Sequence, residues 1–252
     1  MEKYEKLVLD TAMKAGSILL SSGAEIYRVE ETMKRIVQYY GFSDNGVFVL
    51  SNGIFFTSEN GKSEMYAKVE HIPFGSVHMG KIARVNEVSR EIERGKYSAE
   101  EAWGQLQEIE RMGEEKAILT LFAYGIGAAC FCYTFGGSLF DSMVAFISGA
   151  ALYLVTWLSK KRTPVPSKII VNIVGGFVAT CTGLVFYHLG FGDDVNSIIL
   201  GGIIPYLPGV SFVTAVRELA NSNYIAGSVR LIDTLLITSG IAMGVCMAVF
   251  LC

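Results

Sequence analysis

Apolar side chains in the first part of the chain recur every three or four residues, the spacing of one buried helix face. In residues 3–21 these positions are Leu7, Val8, Ala12, Ala15, Ile18 and Leu19. Gly23 is typical of a helix end, because glycine adopts a positive φ without strain. A second helix is predicted directly after it, with Ser22 and Glu25 as its capping box, and it stops near Gly41. Its buried stripe comprises Ile26, Val29, Met33, Ile36 and Val37.

The pattern then changes to that of β-strands. Residues 47–58 form one run rich in β-branched and aromatic side chains. A second run begins at Met65, where apolar and charged residues alternate. Asn60-Gly61 lies between the two runs and is a strong signal for a tight hairpin turn.

Two more helices are predicted after the strands. One covers about residues 78–94, with Ile82, Val85, Val88 and Ile92 on one face. The other is capped by Ser98 and Glu101 and reaches about Met112. Residues 1–115 are therefore predicted to form an α+β domain.

Residues 116–252 show the long apolar stretches of membrane helices. Each predicted span approaches the roughly 20 residues that cross a bilayer core. The spans are 117–135, 139–158, 168–189, 197–216 and 231–251. This part is predicted to be an α-helical transmembrane bundle of about five spans, of which the fourth is interrupted by Pro205 and Pro208.

The distribution of charge supports this division. Of 252 residues 51% are hydrophobic, but residues 1–116 hold 15 of the 21 Lys and Arg and 19 of the 24 Asp and Glu. A polar domain joined to a membrane domain accounts for that contrast. The net charge of −3 gives no indication of nucleic-acid binding. The three His residues have no metal-ligand spacing, and no motif indicates a catalytic residue or a cofactor, so none is predicted.

Charges in the loops predict the orientation. Lys160, Lys161 and Arg162 follow the second span, whereas the loop after the third contains Asp193 and Asp194 and no Lys or Arg. By the positive-inside rule, the N-terminal domain is predicted to be cytoplasmic. The chain is therefore predicted to be a multi-pass protein of the plasma (inner) membrane. With five spans, its C-terminus is expected outside the cell.

Small residues at four-residue intervals, which let membrane helices approach closely, predict that the spans pack on one another. They include Gly175, Ala179 and Gly183 in the third span and Gly240 and Gly244 in the fifth. Asn172, Gly176 and Thr180 add a polar edge to the third span.

The fourth span contains the sharpest signal for a binding site. Two prolines remove backbone donors, and Pro208 disfavours helical geometry at Leu207. In transporters, a half-helix that begins at such a break directs N–H groups at an anionic substrate group. Pro208, Gly209 and Ser211 are therefore candidate substrate-binding residues, and Gly209 is expected to need a positive φ. A simple proline kink is the alternative.

Ionisable groups near the spans are candidates for transport roles, because such groups are costly in a membrane. They are Asp141, Arg217, Glu218, Arg230 and Asp233, and Arg230 and Asp233 are spaced to pair with each other. We assign Asn172 and Arg217 to substrate binding and the other four to coupling or gating. In the N-terminal domain, Glu25, Arg28, Glu30 and Glu31 are most simply a solvated helix face with i,i+3 pairs, and docking, gating or catalysis is the alternative. We assign Glu25 and Arg28 to coupling or gating as well.

Two segments resemble the signatures of the threonine/serine exporter family. Residues 22–30 (SGAEIYRVE) are similar to its N-terminal signature, and Leu207-Pro208-Gly209 with Arg217, Gly227 and Arg230 to its C-terminal one. The order of elements is similar over nearly the whole chain. Glu218 departs from the Asp that is typical of the family at that position.

The resemblance implies a cytoplasmic domain on a membrane domain that exports threonine, serine or, in split relatives, a small dicarboxylate such as succinate. Ion-gradient coupling is implied as well. Single-chain members continue into a second membrane block, and this chain stops at Cys252. The expected form is therefore the split one, with a second small membrane protein as partner, or a homo-oligomer.

Two other functions stay open at this point. One is a membrane-anchored enzyme with its active site in the N-terminal domain, although no catalytic constellation is visible there. The other is a regulatory or scaffold subunit of another transporter.

Overall fold

The computed structural model describes residues 3–42, 45–59, 65–73, 75, 77–113, 116–162 and 167–251. Its contacts divide the chain into two units. The first contains Met1–Gly113 and Ser211–Leu231, and the second contains Glu114–Val210 and Ile232–Cys252. The segment Ser211–Leu231 therefore packs with the N-terminal residues, while the domain boundary at residues 115/116 stays a prediction.

Four helices build most of the first unit: α1 (Lys3–Ser21), α2 (Ile26–Tyr39), α3 (Met79–Glu93) and α4 (Ala99–Glu110). Their predicted apolar stripes, except Leu7 at the rim, are buried in one core, and Gly23 has the positive φ expected after α1. Ser98 and Glu101 form the predicted reciprocal cap of α4. Helical periodicity thus located these helices correctly.

The sheet has one strand more than the sequence predicted. Strands β1 (Asn45–Leu50), β2 (Gly53–Glu59) and β3 (Met65–His71) form an antiparallel sheet in the order β1-β2-β3. The single run predicted over residues 47–58 was wrong, because the chain turns between Leu50 and Gly53, which are directly paired. Strand β2 pairs antiparallel with β3, but the hairpin turn predicted at Asn60-Gly61 lies outside the described residues.

One face of this sheet completes the core of the first unit. Val47, Val49, Ile54 and Phe56 are buried beneath the helices. Phe48, Phe55 and Val69 lie on the opposite face and are exposed. The alternation in β3 predicted a strand correctly, but Val69 on its apolar side faces outward.

Four helices are long and apolar enough to cross a membrane: α5 (Ala117–Thr134), α6 (Leu139–Arg162), α7 (Lys168–His188) and α10 (Tyr224–Leu251). The predicted fourth span is a bent pair, α8 (Val195–Ile203) and α9 (Gly209–Ala220), with a short 3-10 helix, Ile204–Tyr206, after α8. Counting that pair as one span gives five. The fold comprises a small α+β part and four or five candidate membrane helices.

Helices α7 and α10 run in the same direction within the second unit. Lys168 at the start of α7 pairs with Asp233 at 3.5 Å. A Cβ on Gly240 would lie 3.2 Å from the Cβ of Asn172, and one on Gly244 would lie 2.7 Å from the backbone nitrogen of Phe177. Contacts therefore advance along both helices together, as in a parallel pair.

Candidate functional site

The loop between α1 and α2 is the centre of a cluster of charged residues in the first unit. Arg217 in α9 donates from Nη1 to the Oε1 atom of Glu25, the residue before α2. The Glu25 side chain is 11% exposed and that of Arg217 is 55% exposed. The pair thus joins a buried carboxylate to a side chain that is half-exposed.

Glu218, the next residue in α9, is buried and caps α2. Its Oε1 atom accepts the backbone N–H of Ile26 at 2.7 Å, and its Oε2 atom accepts from Nδ2 of Asn223 at 2.8 Å. The first N–H groups of a helix lack partners within the helix, and a carboxylate also interacts favourably with the positive end of the helix dipole. Glu218 therefore provides a cap that α2 does not contain itself.

Arg230 in α10 binds the carbonyl groups of the same loop. Its Nη1 atom donates to the carbonyl oxygen of Gly23 at 3.0 Å, and its Nη2 atom donates to that of Ala24 at 3.2 Å. The planar guanidinium matches two adjacent acceptors in a way that an ammonium group does not. We call Glu25, Arg217, Glu218 and Arg230 together the ionic cluster.

Gly227 lets α9 and α10 approach each other beneath this cluster. A Cβ at that position would lie 2.9 Å from the backbone nitrogen of Leu219, closer than ordinary contacts allow. The two segments singled out in the sequence, residues 22–30 and the region around Arg217 to Arg230, thus meet in one site. One polar atom of the cluster, Oε2 of Glu25, is buried without a hydrogen-bond partner in the described parts of the chain.

The cluster corrects two predictions about residues 22–31. The capping box of Ser22 and Glu25 was wrong, because Glu25 is the N-cap residue and its side chain makes no cap hydrogen bond. The solvated face with i,i+3 pairs holds only in part, since Glu31 is exposed and Arg28 interacts with Glu25 and Glu31 three residues away on either side. Glu25 is buried, Glu30 accepts from the backbone of Val49, and Glu31 pairs with Arg35 four residues later.

Arg28, which the sequence analysis grouped with Glu25, is half-buried in α2. A hydrogen bond with Tyr27 raises the pKa of Arg28 above its ordinary value. Its assignment to coupling or gating stays a prediction.

Both carboxylate oxygens of Asp141 in α6 accept hydrogen bonds from backbone N–H groups. Its Oδ2 atom accepts the N–H of Ser138 at 2.8 Å, and its Oδ1 atom accepts those of Asp193 at 2.7 Å and Asp194 at 3.2 Å. These bonds begin α6 and hold the loop before α8, which accounts for the burial of this carboxylate. Asp233 pairs with Lys168, and Arg230 binds loop carbonyls. The pairing of Arg230 with Asp233 that their spacing suggested stays a prediction.

The break between α8 and α9 lies where the prolines predict it. Leu207 is extended, with φ −63° and ψ 136°, and α9 begins at Gly209. The N–H of Gly209 donates to the carbonyl oxygen of Leu207 at 2.8 Å, so this donor already has an acceptor within the chain. The expectation of a positive φ at Gly209 was wrong, because the residue is helical and open space surrounds the position of its Cβ in the part of the chain that the structure describes.

A second group of polar residues lies in the second unit, along α7. Asn172 is 4% exposed and Thr180 is 0% exposed. The Nδ2 atom of Asn172 and the Oγ1 atom of Thr180 have no hydrogen-bond partner within the described residues. The sequence marked this edge as polar, but only the structure shows that its groups are buried and unsatisfied.

Comparison with known proteins gives one family over nearly the whole chain. Residues 10–252 match the family model ThrE, described as "Putative threonine/serine exporter". The chain is 28% identical to "Threonine/serine exporter" of Corynebacterium glutamicum, over 94% of this chain and 50% of that protein. No solved structure matches the chain.

Two further relatives differ in how much of their length is matched. The chain is 22% identical to "Probable succinate transporter subunit YjjP" of Klebsiella aerogenes, over 97% of this chain and 93% of that protein. It is 26% identical to "Pheromone-regulated membrane protein 10" of Debaryomyces hansenii, over 92% of this chain and 24% of that protein. The chain thus spans half or less of the larger relatives and nearly all of the smaller one.

Proposed function

Because this chain belongs to the threonine/serine exporter family, we propose that it is a subunit of a secondary exporter of small carboxylate-bearing solutes. Threonine and serine are the first candidates, since the relative from Corynebacterium glutamicum is named for them. A dicarboxylate such as succinate is the second, since the relative from Klebsiella aerogenes is named for that substrate.

The broken helix pair α8–α9 is the observation that carries this proposal, and the parallel direction of α7 and α10 supports its crossing of the membrane. If two parallel helices both cross the membrane, the chain must cross back once between the end of the first and the start of the second. The pair α8–α9 supplies that crossing, since Val195–Tyr206 and Gly209–Ala220 together are long and apolar enough to count as one broken span. A broken helix that crosses a membrane is a recurrent feature of transporters.

The ionic cluster is the proposed coupling element. Its residues in α9 and α10 hold the loop that begins α2, and they are covalently continuous with the proposed crossings on both sides. Helix α10 has 28 residues, about 42 Å, so its first turns extend beyond a bilayer core. That length leaves Arg230 near the membrane surface, where a charge is less costly than at the centre.

The proposed substrate-binding residues are Pro208, Gly209, Ser211, Asn172 and Arg217. The extended backbone at Leu207 and the half-exposed guanidinium of Arg217 support this set. Asp141, Glu218, Arg230, Asp233, Glu25 and Arg28 are the proposed coupling or gating residues. For Asp141, the three backbone bonds favour a role in holding the loop before α8.

A second membrane subunit is proposed as partner. The relative from Klebsiella aerogenes is named a transporter subunit and matches this chain over nearly the whole length of both. Export is therefore expected when the chain is co-expressed with a small membrane protein encoded beside it, and weaker export from the chain alone.

We propose that the N-terminal domain is cytoplasmic and the C-terminus outside, an orientation that five crossings and the Lys160–Arg162 cluster support. In a cysteine-free background, Lys161→Cys should resist a membrane-impermeant thiol reagent added to intact cells and react after permeabilisation. Ready labelling in intact cells would overturn this orientation.

Efflux of radiolabelled serine, threonine and succinate from loaded membrane vesicles tests the function. Export of at least one of them, above that of vesicles without the chain, is expected when both subunits are present. If none is exported, the proposal fails, and a regulatory subunit of another transporter becomes the better hypothesis.

A further inference from the structure

The contact between α7 and α10 is closed by glycine. A Cβ on Gly176 would lie 2.6 Å from the carbonyl oxygen of Ile241, and one on Gly244 would lie 2.1 Å from that of Ile173. Both distances are below those that real Cβ atoms show, so the two backbones are in direct contact. We call this contact the α7–α10 seam.

Two polar groups on one face of α7 are buried without partners among the described residues. Asn172, Gly176 and Thr180 are four residues apart and share one face of α7. This face meets α10, since a Cβ on Gly240 would lie 3.2 Å from that of Asn172 and one on Gly176 would touch Ile241. Nδ2 of Asn172 and Oγ1 of Thr180 make no hydrogen bond to any described residue. An unmade buried hydrogen bond costs stability, and natural proteins retain few of them.

We propose that the α7–α10 seam opens during transport, and that Asn172 and Thr180 then bind the polar groups of the solute. The inference rests on the proposed exporter function and adds to it a binding site and the contact that closes it. The two helices are held together by backbone contact at Gly176 and Gly244 and by the ion pair of Lys168 with Asp233 at the start of α7. Opening of the seam at the glycines separates backbone packing, while the ion pair lies at one end of the two helices.

The two side chains form successive positions for a solute. Eight residues of α-helix span about 12 Å, more than one small amino acid can bridge. Gly176 lies between them, at the point where the seam is closed. A solute is therefore bound at Asn172 or Thr180 in turn, and movement between the two requires the seam to separate at Gly176.

The site suits a solute without net charge. The amide of Asn172 donates to a carboxylate, and the hydroxyl of Thr180 both donates and accepts. Among the buried side chains that the structure describes in the second unit, none is Lys or Arg. A dianion would be buried there without a counter-charge, whereas the charges of a zwitterion balance each other.

Apolar isosteres separate binding from folding. Thr180→Val and Asn172→Leu remove groups that have no partner in the closed seam, so the thermal stability of the purified complex should stay the same or rise. Both variants should raise the KM for export of radiolabelled threonine from vesicles by about tenfold. Thr182→Val is the matched control, because Oγ1 of Thr182 bonds to the carbonyl oxygen of Val178 at 2.8 Å, and its KM should not change.

Two results would overturn the proposal. One is a wild-type KM in both isosteric variants while the wild-type complex exports threonine, which would leave the exporter function intact. The other is a fall in thermal stability that accounts for the whole fall in export. Asn172 and Thr180 would then be structural residues.

A second measurement does not depend on export. In a cysteine-free background, Thr180→Cys should react with a small thiol reagent in membranes, because the seam opens. Leu152→Cys, fully buried in α6, should stay unreactive and serves as control. An unreactive Thr180→Cys would refute opening of the seam, whatever the complex transports.

Discussion

The ionic cluster and the α7–α10 seam are both buried polar sites, but they use their polar groups in opposite ways. In the cluster, Glu218 and Arg230 bind backbone groups of the α1–α2 loop. In the seam, Asn172 and Thr180 leave polar atoms without partners, and the helices meet through glycine. The cluster is therefore held by charged hydrogen bonds, whereas the seam is held by backbone packing and by the ion pair of Lys168 with Asp233 at one end.

The difference has an energetic origin. Removing one partner of a buried charged contact costs stability, because the remaining group stays buried and uncompensated. Removing a buried polar group that has no partner relieves a cost that was already present. Substitutions in the two sites should consequently have opposite effects on stability.

The largest effect is expected at Glu218. Glu218→Ala leaves the N–H of Ile26 and the amide of Asn223 without their acceptor, and it removes one of the two carboxylate charges that act on Arg230. We expect the free energy of unfolding to fall by about 3 kcal/mol. Thermal unfolding of the solubilised protein measures this. Glu108→Ala, an exposed position in α4, should change it by less than about 0.5 kcal/mol.

The second effect concerns the seam. Gly244→Ala places a methyl group on the backbone of Ile173 and forces α7 and α10 apart, which should cost about 1–3 kcal/mol. Because the variant holds the seam partly open, the reactivity of Thr180→Cys should rise. A fall in stability without any rise in reactivity would indicate that the methyl group is accommodated elsewhere.

The third effect separates the two arginines of the cluster. Arg230→Lys replaces the planar guanidinium, whose two nitrogens donate to two carbonyl groups, by a single ammonium group. The free energy of unfolding should fall by about 1–2 kcal/mol. Arg217 makes one contact to Glu25 from a half-exposed side chain, so Arg217→Lys should cost less than about 0.5 kcal/mol. Equal losses in thermal unfolding would contradict the difference in geometry.

Local patterns predicted the helices well, because each pattern is complete within one segment. The stripe of α2 and the cap of α4 are examples, and both are found in the structure. The turn between β1 and β2 was missed although Asn52-Gly53 carries the same signal as Asn60-Gly61. The continuous run of β-branched and aromatic residues around it concealed the turn.

The ionic cluster was out of reach for a different reason. Glu25 and Arg217 are 192 residues apart, and so are Ile26 and Glu218. Spacing along the chain carries no information about such contacts, and Ser22 offered a plausible local cap instead. Each residue was singled out by its motif or its charge, but their pairing required the fold.

The smallest effect is expected at Gly209, and it tests whether the break between α8 and α9 depends on glycine. The position is helical and surrounded by open space within the described part of the chain, so Gly209→Ala should leave stability and export within about twofold of the wild type. Gly227→Ala is the matched comparison, because its methyl group would meet the backbone of Leu219 at 2.9 Å and should destabilise the contact of α9 with α10. The export rate, normalised to the amount of protein in the membrane, decides the question. If Gly209→Ala abolishes export without loss of expression, the backbone at the break must adopt a conformation in transport that only glycine permits, and the substrate-binding role of Pro208 and Gly209 gains direct support. If export is unchanged, the break does not depend on glycine at this position, and Pro205 and Pro208 account for it.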